Sequence, residues 1–238
     1  MKTKDINIWK GISEKVSLEE IINSYKNPGG FQSELVNFIE QLFADCYEPS
    51  SIEVGATFGV TSALLPCKFS KTVLDIDAEA VHKAKEFFEK IGQKATFLNM
   101  DMFKLDRIDV KYDLVFNSGV IEHFNSIERK KIITNMIHIT KKGGFIVIAV
   151  PNHESLPYRI GYIYSKLVHK WIYPPEFKVD FKEDLGHISG EVKLIEDLAL
   201  DKENIYNYLP KCLKKLFRFF DRHFEYEGYL KVVVLRKI

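Results

Sequence analysis

Apolar and polar residues along the chain alternate between two spacings, one typical of helices and one of strands. Helical spacing occurs in residues 18–25, in residues 31–44, in a segment through Ile91 that follows Asp77 as a candidate N-cap, and in residues 127–141. Five short apolar segments of strand length lie between or after them. These candidate strands are Ser51–Val54, Thr72–Ile76, Ala95–Asn99, Tyr112–Asn117 and Phe145–Val150.

Strands that alternate with helices predict right-handed crossovers and a mainly parallel sheet. We therefore expect an α/β fold with a doubly wound sheet of about seven strands and helices on both faces. The alternation ends at Val150. Residues 152–190 are rich in aromatic residues and histidine, and Lys193–Leu209 is mixed and polar, which we interpret as partly helical. Near the end of the chain, Glu227–Gly228 is a candidate hairpin turn into a strand at Leu230–Leu235.

These patterns divide the chain into four parts. Residues 1–48 are expected to be helical and to cap the site on the substrate side, and residues 49–151 to form the ligand-binding core. Residues 152–225 are expected to form a helical, aromatic-rich insert that acts as a substrate lid. Residues 226–238 supply a final strand that completes the core sheet.

Composition and charge narrow the functional classes. The 238 residues are 46% hydrophobic with a net charge of +1, so no overall field would attract nucleic acid. The three cysteines show no zinc or disulfide spacing, which is typical of a reducing cytoplasm. Because no apolar run approaches the roughly 20 residues of a membrane span, we expect a cytoplasmic protein without an integral membrane segment.

A glycine turn after the first strand is the strongest candidate binding feature. The stretch Glu53–Gly59 reads EVGATFG, and Asp75 follows Gly55 by the separation at which a carboxylate reaches ribose hydroxyls. A dinucleotide would require glycines at Thr57 and Val60, where the chain has none, and the lysine of a phosphate-binding Walker loop is missing as well.

The acidic residue and two glycines resemble the first motif of class I S-adenosylmethionine-dependent methyltransferases. Further stretches resemble later motifs of that family, in order: VLDIDAEAV, NMDMFKL, YDLVFNSGVIEHF and KKGGFIVIAVPN, which has Lys142 where proline is usual. The resemblance covers about residues 50–152 and implies a Rossmann-like fold. It also implies S-adenosylmethionine as cofactor, and a cofactor site formed by Glu53, Gly55, Ala56, Thr57, Gly59, Asp75, Ile76, Asp101, Met102, Asn117 and Ser118.

Within that site, the resemblance implies that Asp75 binds the ribose and that Asp101 accepts from the adenine amine. Thr57 departs from the glycine usual in the family, and its hydroxyl could donate to a carboxylate or accept from an amine. A general base is needed only if the acceptor loses a proton. The preferred candidates for that role are His123 and His153, and Tyr158 and His187 are further candidates. No residue cluster suggests a metal.

The predicted function is methyl transfer to a small molecule, with an oxygen acceptor favoured. A methyltransferase-like scaffold without catalysis and a nicotinamide-dependent oxidoreductase are the alternatives. The expected partner is a small methyl acceptor rather than nucleic acid, and the chain could form a homodimer. Residues 209–224 interleave apolar and basic residues, which fits either a sheet-covering helix with a solvated cationic face or a helix that docks on an anionic membrane.

Overall fold

A seven-stranded sheet organises the described part of this computed structural model, which comprises residues 3–188, 190–224 and 226–238. Its strand order is β3-β2-β1-β4-β5-β7-β6. All neighbouring strands are parallel except β7, which runs antiparallel to both β5 and β6. The strands are β1 (Ser50–Val54), β2 (Ser70–Asp75), β3 (Thr96–Asn99), β4 (Tyr112–Ser118), β5 (Thr140–Pro151), β6 (Val192–Leu200) and β7 (Leu230–Lys237).

Helices precede the first strand and connect the later strands of the sheet. The described helices are α1 (Thr3–Lys15), α2 (Leu18–Lys26), α3 (Gly30–Leu42), α4 (Val60–Leu64), α5 (Ala78–Lys90), α6 (Ser126–His138), α7 (Leu156–Leu167), α8 (Phe181–Leu185) and α9 (Lys211–Phe224). Asp77 caps α5, as predicted, by accepting a hydrogen bond from the Glu79 backbone N–H.

Successive side chains of the central strands enter cores on opposite faces. In β4, Leu114 and Phe116 belong to the core that includes Leu35 and Ile39 of α3, whereas Val115 belongs to the core that includes Ile132 of α6. This period of two is expected for a strand covered on both sides. The predicted doubly wound, mainly parallel α/β fold is therefore confirmed.

The helix predicted at residues 127–141 ends earlier than expected. It stops at His138, and Thr140 already pairs with Tyr112 as part of β5. Lys237 explains the early end, because its ammonium donates to the carbonyls of Ile137 (2.8 Å) and Thr140 (2.9 Å). The local sequence cannot reveal this cap, since Lys237 lies on the last strand.

The segment after β5 differs from the prediction in two respects. Lys193–Leu200 is part of the edge strand β6 rather than a partly helical stretch, and only Ile205–Tyr208 forms a short 3-10 turn. Glu227–Gly228 does not close a tight hairpin. The preceding strand that pairs with β7 is β6, and α9 lies between β6 and β7 in sequence. The predicted helical insert therefore contributes one of the sheet's seven strands.

Candidate functional site

A cavity of about 270 Å³ lies at the carboxyl ends of β1, β2 and β4. Small-molecule pockets start at about this size, and ligands of doubly wound sheets bind at this edge. The walls come from the glycine turn, the ends of the strands, and helices α1 and α3. The lining residues are Ile6, Trp9, Ser13, Phe31, Gln32, Glu53, Gly55, Ala56, Thr57, Phe58, Val60, Thr61, Asp75, Ile76, Asp77, Ala80, Met102, Ser118, Gly119, Val120, His123 and Phe124.

Gly55 opens the turn and keeps the cavity clear of side chains at that point. Its φ is +75°, in the left-handed region that side chains disfavour. A Cβ there would lie 2.9 Å from Cγ2 of Val120 and 3.4 Å from Cε of Met102, both residues of the cavity wall. A ligand can therefore approach the backbone of Gly55 more closely than any other residue would permit.

Gly59 has a different role from the one predicted. It does not line the cavity but precedes α4 with φ of +68°. A Cβ on Gly59 would lie 3.0 Å from Cγ2 of Val73 and 3.2 Å from Cε2 of Phe88, inside the core behind the turn. Gly59 therefore permits close packing between the turn and the sheet, and its assignment as a cofactor contact stays a prediction.

Thr57 adopts a backbone conformation that glycine would adopt more easily. Its φ is +50°, which is rare for a β-branched residue. The Thr57 backbone N–H donates to Oδ2 of Asp75 (2.8 Å), so the turn holds the carboxylate through the main chain. The side chain lines the cavity. The departure from glycine is therefore accommodated by the backbone and leaves the turn intact.

Asp75 presents a carboxylate that the backbone orients from two sides. Oδ2 accepts from Thr57, and Oδ1 accepts from the Asp77 N–H (2.9 Å). Burial raises the pKa of Asp75 above its usual value, and these two hydrogen bonds oppose that rise. Because an ionised carboxylate has about four acceptor positions, the pair of oxygens can still accept from two hydroxyl groups of a ligand.

Glu53 is the second carboxylate in the cavity wall. Its Oε2 accepts from both the backbone N–H (2.9 Å) and the hydroxyl (2.6 Å) of Ser62 at α4. Burial raises the pKa of Glu53 to about 7, opposed by the Ser62 hydrogen bonds, and the charge of Asp75 adds to the rise. A cation bound nearby would favour the ionised form.

Charge distinguishes this cavity from an anion-binding one. Three carboxylates line it, those of Glu53, Asp75 and Asp77, while the described lining residues include no lysine or arginine. Trp9, Phe31, Phe58 and Phe124 add aromatic surface to the walls. A cation is stabilised by such surroundings, through the carboxylates and through ring faces, whereas a pyrophosphate would be repelled.

Helix α1 covers the cavity and is attached to α5. Ile6, Trp9 and Ser13 line the cavity from α1, and the Ser13 hydroxyl donates to the carboxylate of Asp77. At the end of α1, the ammonium of Lys83 donates to the carbonyls of Ser13 (2.7 Å), Glu14 (3.2 Å) and Val16 (3.0 Å). Sequence reasoning missed Trp9 and Ser13, because a wall residue on a distant helix has no local signal.

His123 is the predicted base that lies at the cavity. It is buried in the short 3-10 turn after β4, and the ring of Trp9 packs edge-on against it at 5.4 Å. Nδ1 lies 3.2 Å from the carbonyl oxygen of Pro175. Since a carbonyl only accepts, that contact places the hydrogen on Nδ1 and leaves Nε2 of the neutral ring as an acceptor.

Glu122 stands behind His123 and was not predicted. Its Oε1 lies 3.8 Å from Nε2 of His123 and 3.7 Å from where a Cβ on Gly119 would be. Burial, with the charge of Glu176, raises the pKa of Glu122 well above its usual value. The family motif pointed to the position, but only the structure shows that the carboxyl faces the imidazole.

The other candidate bases lie elsewhere. Nε2 of His153 is 2.8 Å from Oε2 of Glu176, which also accepts from the Tyr158 hydroxyl (2.8 Å), and neither residue lines the cavity. His187 contacts Thr134 through Nε2 at 3.2 Å, on the surface of α6. Although His153 follows a strand in sequence, neither His153 nor His187 lines the cavity, and the assignment of His153 as a base stays a prediction.

The remaining cofactor residues divide into two groups. Ala56, Ile76, Met102 and Ser118 line the cavity, as expected. Asp101 instead caps the short turn at Met102–Arg107, where Oδ1 accepts from the Phe103 N–H (2.9 Å). Asn117 is a fully buried residue of β4, and its Nδ2 lies 3.6 Å from the sulfur of Met136. Neither Asp101 nor Asn117 is among the lining residues, and their assignment as cofactor contacts stays a prediction.

Comparisons with known proteins agree with this geometry. Residues 52–144 match the family model described as a methyltransferase domain. The fold is similar to the N-methyltransferase NodS from Bradyrhizobium japonicum in complex with S-adenosylhomocysteine (12% identity, 88% of this chain and 89% of that chain, TM-score 0.57). It is also similar to magnesium protoporphyrin IX methyltransferase (ChlM) from Synechocystis with bound S-adenosylhomocysteine (13% identity, 99% and 95%, TM-score 0.62).

A third similar structure is an S-adenosylmethionine-dependent methyltransferase from Clostridium acetobutylicum (12% identity, 97% and 98% coverage, TM-score 0.61). At such identities the structures show a shared fold. Together with the matched domain, they confirm the resemblance found in the motifs. Residues 52–144 therefore form a methyltransferase domain, within a fold shared with S-adenosylmethionine-dependent methyltransferases of class I.

No described helix has both the length and the apolar character needed to cross a membrane. No described group of three or more His, Cys, Asp or Glu side chains could hold a metal ion.

Proposed function

We propose that the protein transfers a methyl group from S-adenosylmethionine to a hydroxyl group of a small molecule. The observation that carries the proposal is the cavity itself, where the carboxylates of Glu53 and Asp75 share one wall with an imidazole, His123. The carboxylates suit a cationic cofactor that also carries a ribose. The imidazole suits an acceptor that must lose a proton.

The cofactor would be held by residues already oriented by the fold. Asp75 would accept from the ribose hydroxyls, the bare backbone at Gly55 would allow close approach, and Glu53 would favour positive charge. When bound, S-adenosylmethionine supplies a methyl group on a positively charged sulfur, which leaves as a neutral thioether. The protein mainly has to align the acceptor oxygen with that methyl and exclude water.

His123 would accept the proton that the acceptor hydroxyl loses as its oxygen forms a bond to carbon. The Pro175 carbonyl holds the ring with its lone pair on Nε2. Glu122 lies 3.8 Å from that nitrogen, and an imidazolium formed there would favour the ionised form of Glu122. Trp9 against the ring and Phe124 in the wall keep the region apolar. An oxygen acceptor needs this base, whereas a neutral amine does not need one before transfer.

The same geometry argues against a nicotinamide-dependent oxidoreductase. A dinucleotide would place its pyrophosphate against the glycine turn, where Asp75 and Glu53 already concentrate negative charge. The acceptor is proposed to be small because the cavity, walled in part by α1, has a volume of about 270 Å³. We also propose a cytoplasmic location, because Cys46, Cys67 and Cys212 are exposed and form no disulfide.

Isothermal titration tests the cofactor site. We expect S-adenosylmethionine and S-adenosylhomocysteine to bind the wild-type protein, and Asp75→Asn to weaken binding by about 100-fold, as expected for two lost charge-assisted hydrogen bonds to the ribose. Asp109→Asn is the matched control and should bind within a few-fold of wild type, since Asp109 is exposed and does not line the cavity. No binding by the wild-type protein at millimolar ligand would end the proposal.

A methyl-transfer assay then distinguishes an enzyme from a scaffold without catalysis. A screen of hydroxylated acceptors that measures released S-adenosylhomocysteine should show turnover by the wild-type protein. With the acceptor found, His123→Gln should lower kcat by about 100-fold or more and remove the acid limb of its pH profile. His153→Gln should retain turnover, because its ring bonds to Glu176 away from the cavity. Cofactor binding without turnover on any acceptor class would support the scaffold, and equal losses in both variants would refute the assignment of the base.

A further inference from the structure

Exposed apolar side chains are concentrated in two helical segments. Among the described residues, the exposed large apolar side chains number 17, and ten of them lie in residues 156–173 and 216–220. Leu167 (74% exposed), Ile172 (63%) and Phe219 (59%) are prominent examples. Scattered single residues of this kind are normal, but a concentration usually marks an interaction surface.

Both helices pack on one small core and direct further apolar side chains away from it. Tyr158 and Tyr162 of α7 and Phe217 of α9 are buried in a cluster around the turn Ile205–Tyr208. This corrects the interpretation of α9 as a sheet-covering helix, because the cluster that buries Phe217 is separate from the cores on the two faces of the sheet. The outward residues are Leu156, Ile163, Tyr164 and Leu167 on α7, and Leu216, Phe219 and Phe220 on α9.

The spacing of these outward residues makes a stripe on each helix. On α7, Leu156, Ile163 and Leu167 lie seven and four residues apart and therefore share one side. On α9, Leu216 and Phe219 lie three apart. Lys211 and Lys215 are exposed and lie four apart on the same helix, beside that stripe.

Charge is as unevenly distributed as apolar surface. Residues 156–175 contain Arg159, Lys166 and Lys170 and no acidic residue, and residues 204–220 contain four basic residues and no acidic residue. The whole chain, by contrast, has 34 lysines and arginines against 33 aspartates and glutamates. These two segments therefore contribute seven basic residues in a nearly neutral protein, and the acidic residue of α9, Asp221, follows directly after the second segment.

We propose that α7 and α9 dock on an anionic lipid surface. Apolar side chains flanked by lysines are what an interfacial helix inserts into the boundary between headgroups and acyl chains. Phosphate headgroups would then pair with the basic residues, each of which contributes to adsorption. No described helix is suited to cross a membrane, so the contact would be peripheral.

A second copy of the chain is a poorer occupant for this surface. In a twofold dimer the same patch meets itself. Seven basic residues with no acidic residue among them would then face seven more. Like charges at short range repel, and this cost would fall on the centre of the interface. An anionic membrane removes that repulsion and replaces it with attraction.

Vesicle co-sedimentation tests the proposal directly. The full chain should sediment with vesicles of phosphatidylcholine and phosphatidylglycerol in equal parts, and much less with phosphatidylcholine alone. The double variant Lys211→Gln/Lys215→Gln should bind about 25-fold more weakly, at about fivefold for each charge removed near the surface. Lys166 and Arg218 are not used for this variant, because they lie over the rings of Tyr162 and Tyr206 and their replacement would also remove those contacts.

Apolar insertion needs a separate variant and a matched control. Leu216→Asp/Phe219→Asp should lose vesicle binding, whereas Ile127→Asp should keep it, because Ile127 is as exposed but lies at the start of α6. Circular dichroism checks that each variant folds, and a patch variant that fails to fold is replaced by Leu167→Ser on α7, with a smaller expected loss.

Several results would overturn the proposal. They are equal binding to neutral and anionic vesicles, no binding to either, and vesicle binding unchanged in folded patch variants. If sedimentation shows a concentration-dependent dimer of the wild-type protein that the patch variants do not form, the surface binds a second copy of the chain instead. The assay contains neither cofactor nor acceptor, so its result is independent of the proposed methyl transfer.

Discussion

At the scale of single residues, the turn after β1 shows how a departure from a motif is tolerated. The motif requires a main-chain N–H that reaches Asp75, and Thr57 supplies it in the left-handed conformation that glycine would adopt at lower cost. The side chain then projects into the cavity. The strain lies in the backbone of Thr57, so it can be measured by removing the Cβ.

We expect Thr57→Gly to raise the free energy of unfolding by about 0.5 kcal/mol. Relief of the left-handed conformation is worth about 1–2 kcal/mol, and the greater freedom of glycine in the unfolded chain offsets roughly 0.5–1 kcal/mol of it. Urea denaturation measures the change. The control is Thr61→Gly inside α4, which should lower stability by about 1 kcal/mol or more. A destabilised Thr57→Gly protein would show that the threonine side chain makes a stabilising contact.

At the scale of elements, the cavity depends on how α1 is held against α5. The last carbonyls of a helix have no hydrogen-bond partner within it. At the end of α1, the ammonium of Lys83 donates to the carbonyls of Ser13, Glu14 and Val16. Its positive charge also favours the negative end of the helix dipole. Helix α1 carries Trp9, which packs against His123. One lysine on α5 therefore helps to position a wall of the site.

We expect Lys83→Met to loosen α1 without unfolding the core. Loss of the charged hydrogen bonds should cost the docked helix about 2 kcal/mol, which raises amide exchange in residues 6–15 by roughly 30-fold and weakens cofactor binding. Hydrogen exchange with mass spectrometry measures both protection and its recovery on cofactor addition. Lys85→Met, an exposed position on the same helix, is the control and should leave exchange unchanged. Equal exchange in wild type and Lys83→Met would show that α1 is held by other contacts.

At the scale of the whole molecule, function and stability oppose each other at the buried carboxylates. Burial raises the pKa of Glu53 to about 7 and that of Glu122 well above its usual value. The folded protein therefore retains protons that the unfolded chain releases. Such groups lower stability as pH rises. Of the two, Glu53 lines the cavity, where in the proposed function it would favour the positive charge of the cofactor.

We expect Glu53→Gln to stabilise the protein in a pH-dependent manner. Below the usual pKa of 4.5 the wild-type carboxyl is neutral in both states and the variant gains nothing, and the gain is complete above the folded pKa of about 7. The shift corresponds to about 3 kcal/mol, and the glutamine oxygen can still accept from Ser62. Urea denaturation at a series of pH values measures the difference. A difference that does not change with pH would show that Glu53 titrates normally.

Much of the core was predictable because its determinants are local. Five strands, the cap at Asp77, the turn at Gly55 and the carboxylate of Asp75 follow from spacing and side-chain chemistry within short segments. The resemblance to the methyltransferase motifs has the same origin. It depends on residues 50–152, where each strand delivers its end to one edge of the sheet.

The predictions that were wrong concern residues whose neighbours are distant in sequence. Strand β6 looks polar because it lies at the sheet edge, and α6 ends early because of Lys237, about a hundred residues away. His123 and His153 both follow strands, but contacts with segments remote in sequence, at Pro175 and Glu176, hold them in different places, and of the two only His123 lines the cavity.

By itself, the sequence determined the alternation of strands and helices in residues 50–152, the glycine turn and the acidic residue opposite it, because these depend on periodicity and on side-chain chemistry over short distances. Only the tertiary structure decided which imidazole faces the cavity, which helix covers it and which carboxyls are buried enough to hold protons. The physical reason is that burial and contact are properties of the packed chain. Residues such as Trp9, Glu122 and Lys83 acquire their roles only when segments remote in sequence come together.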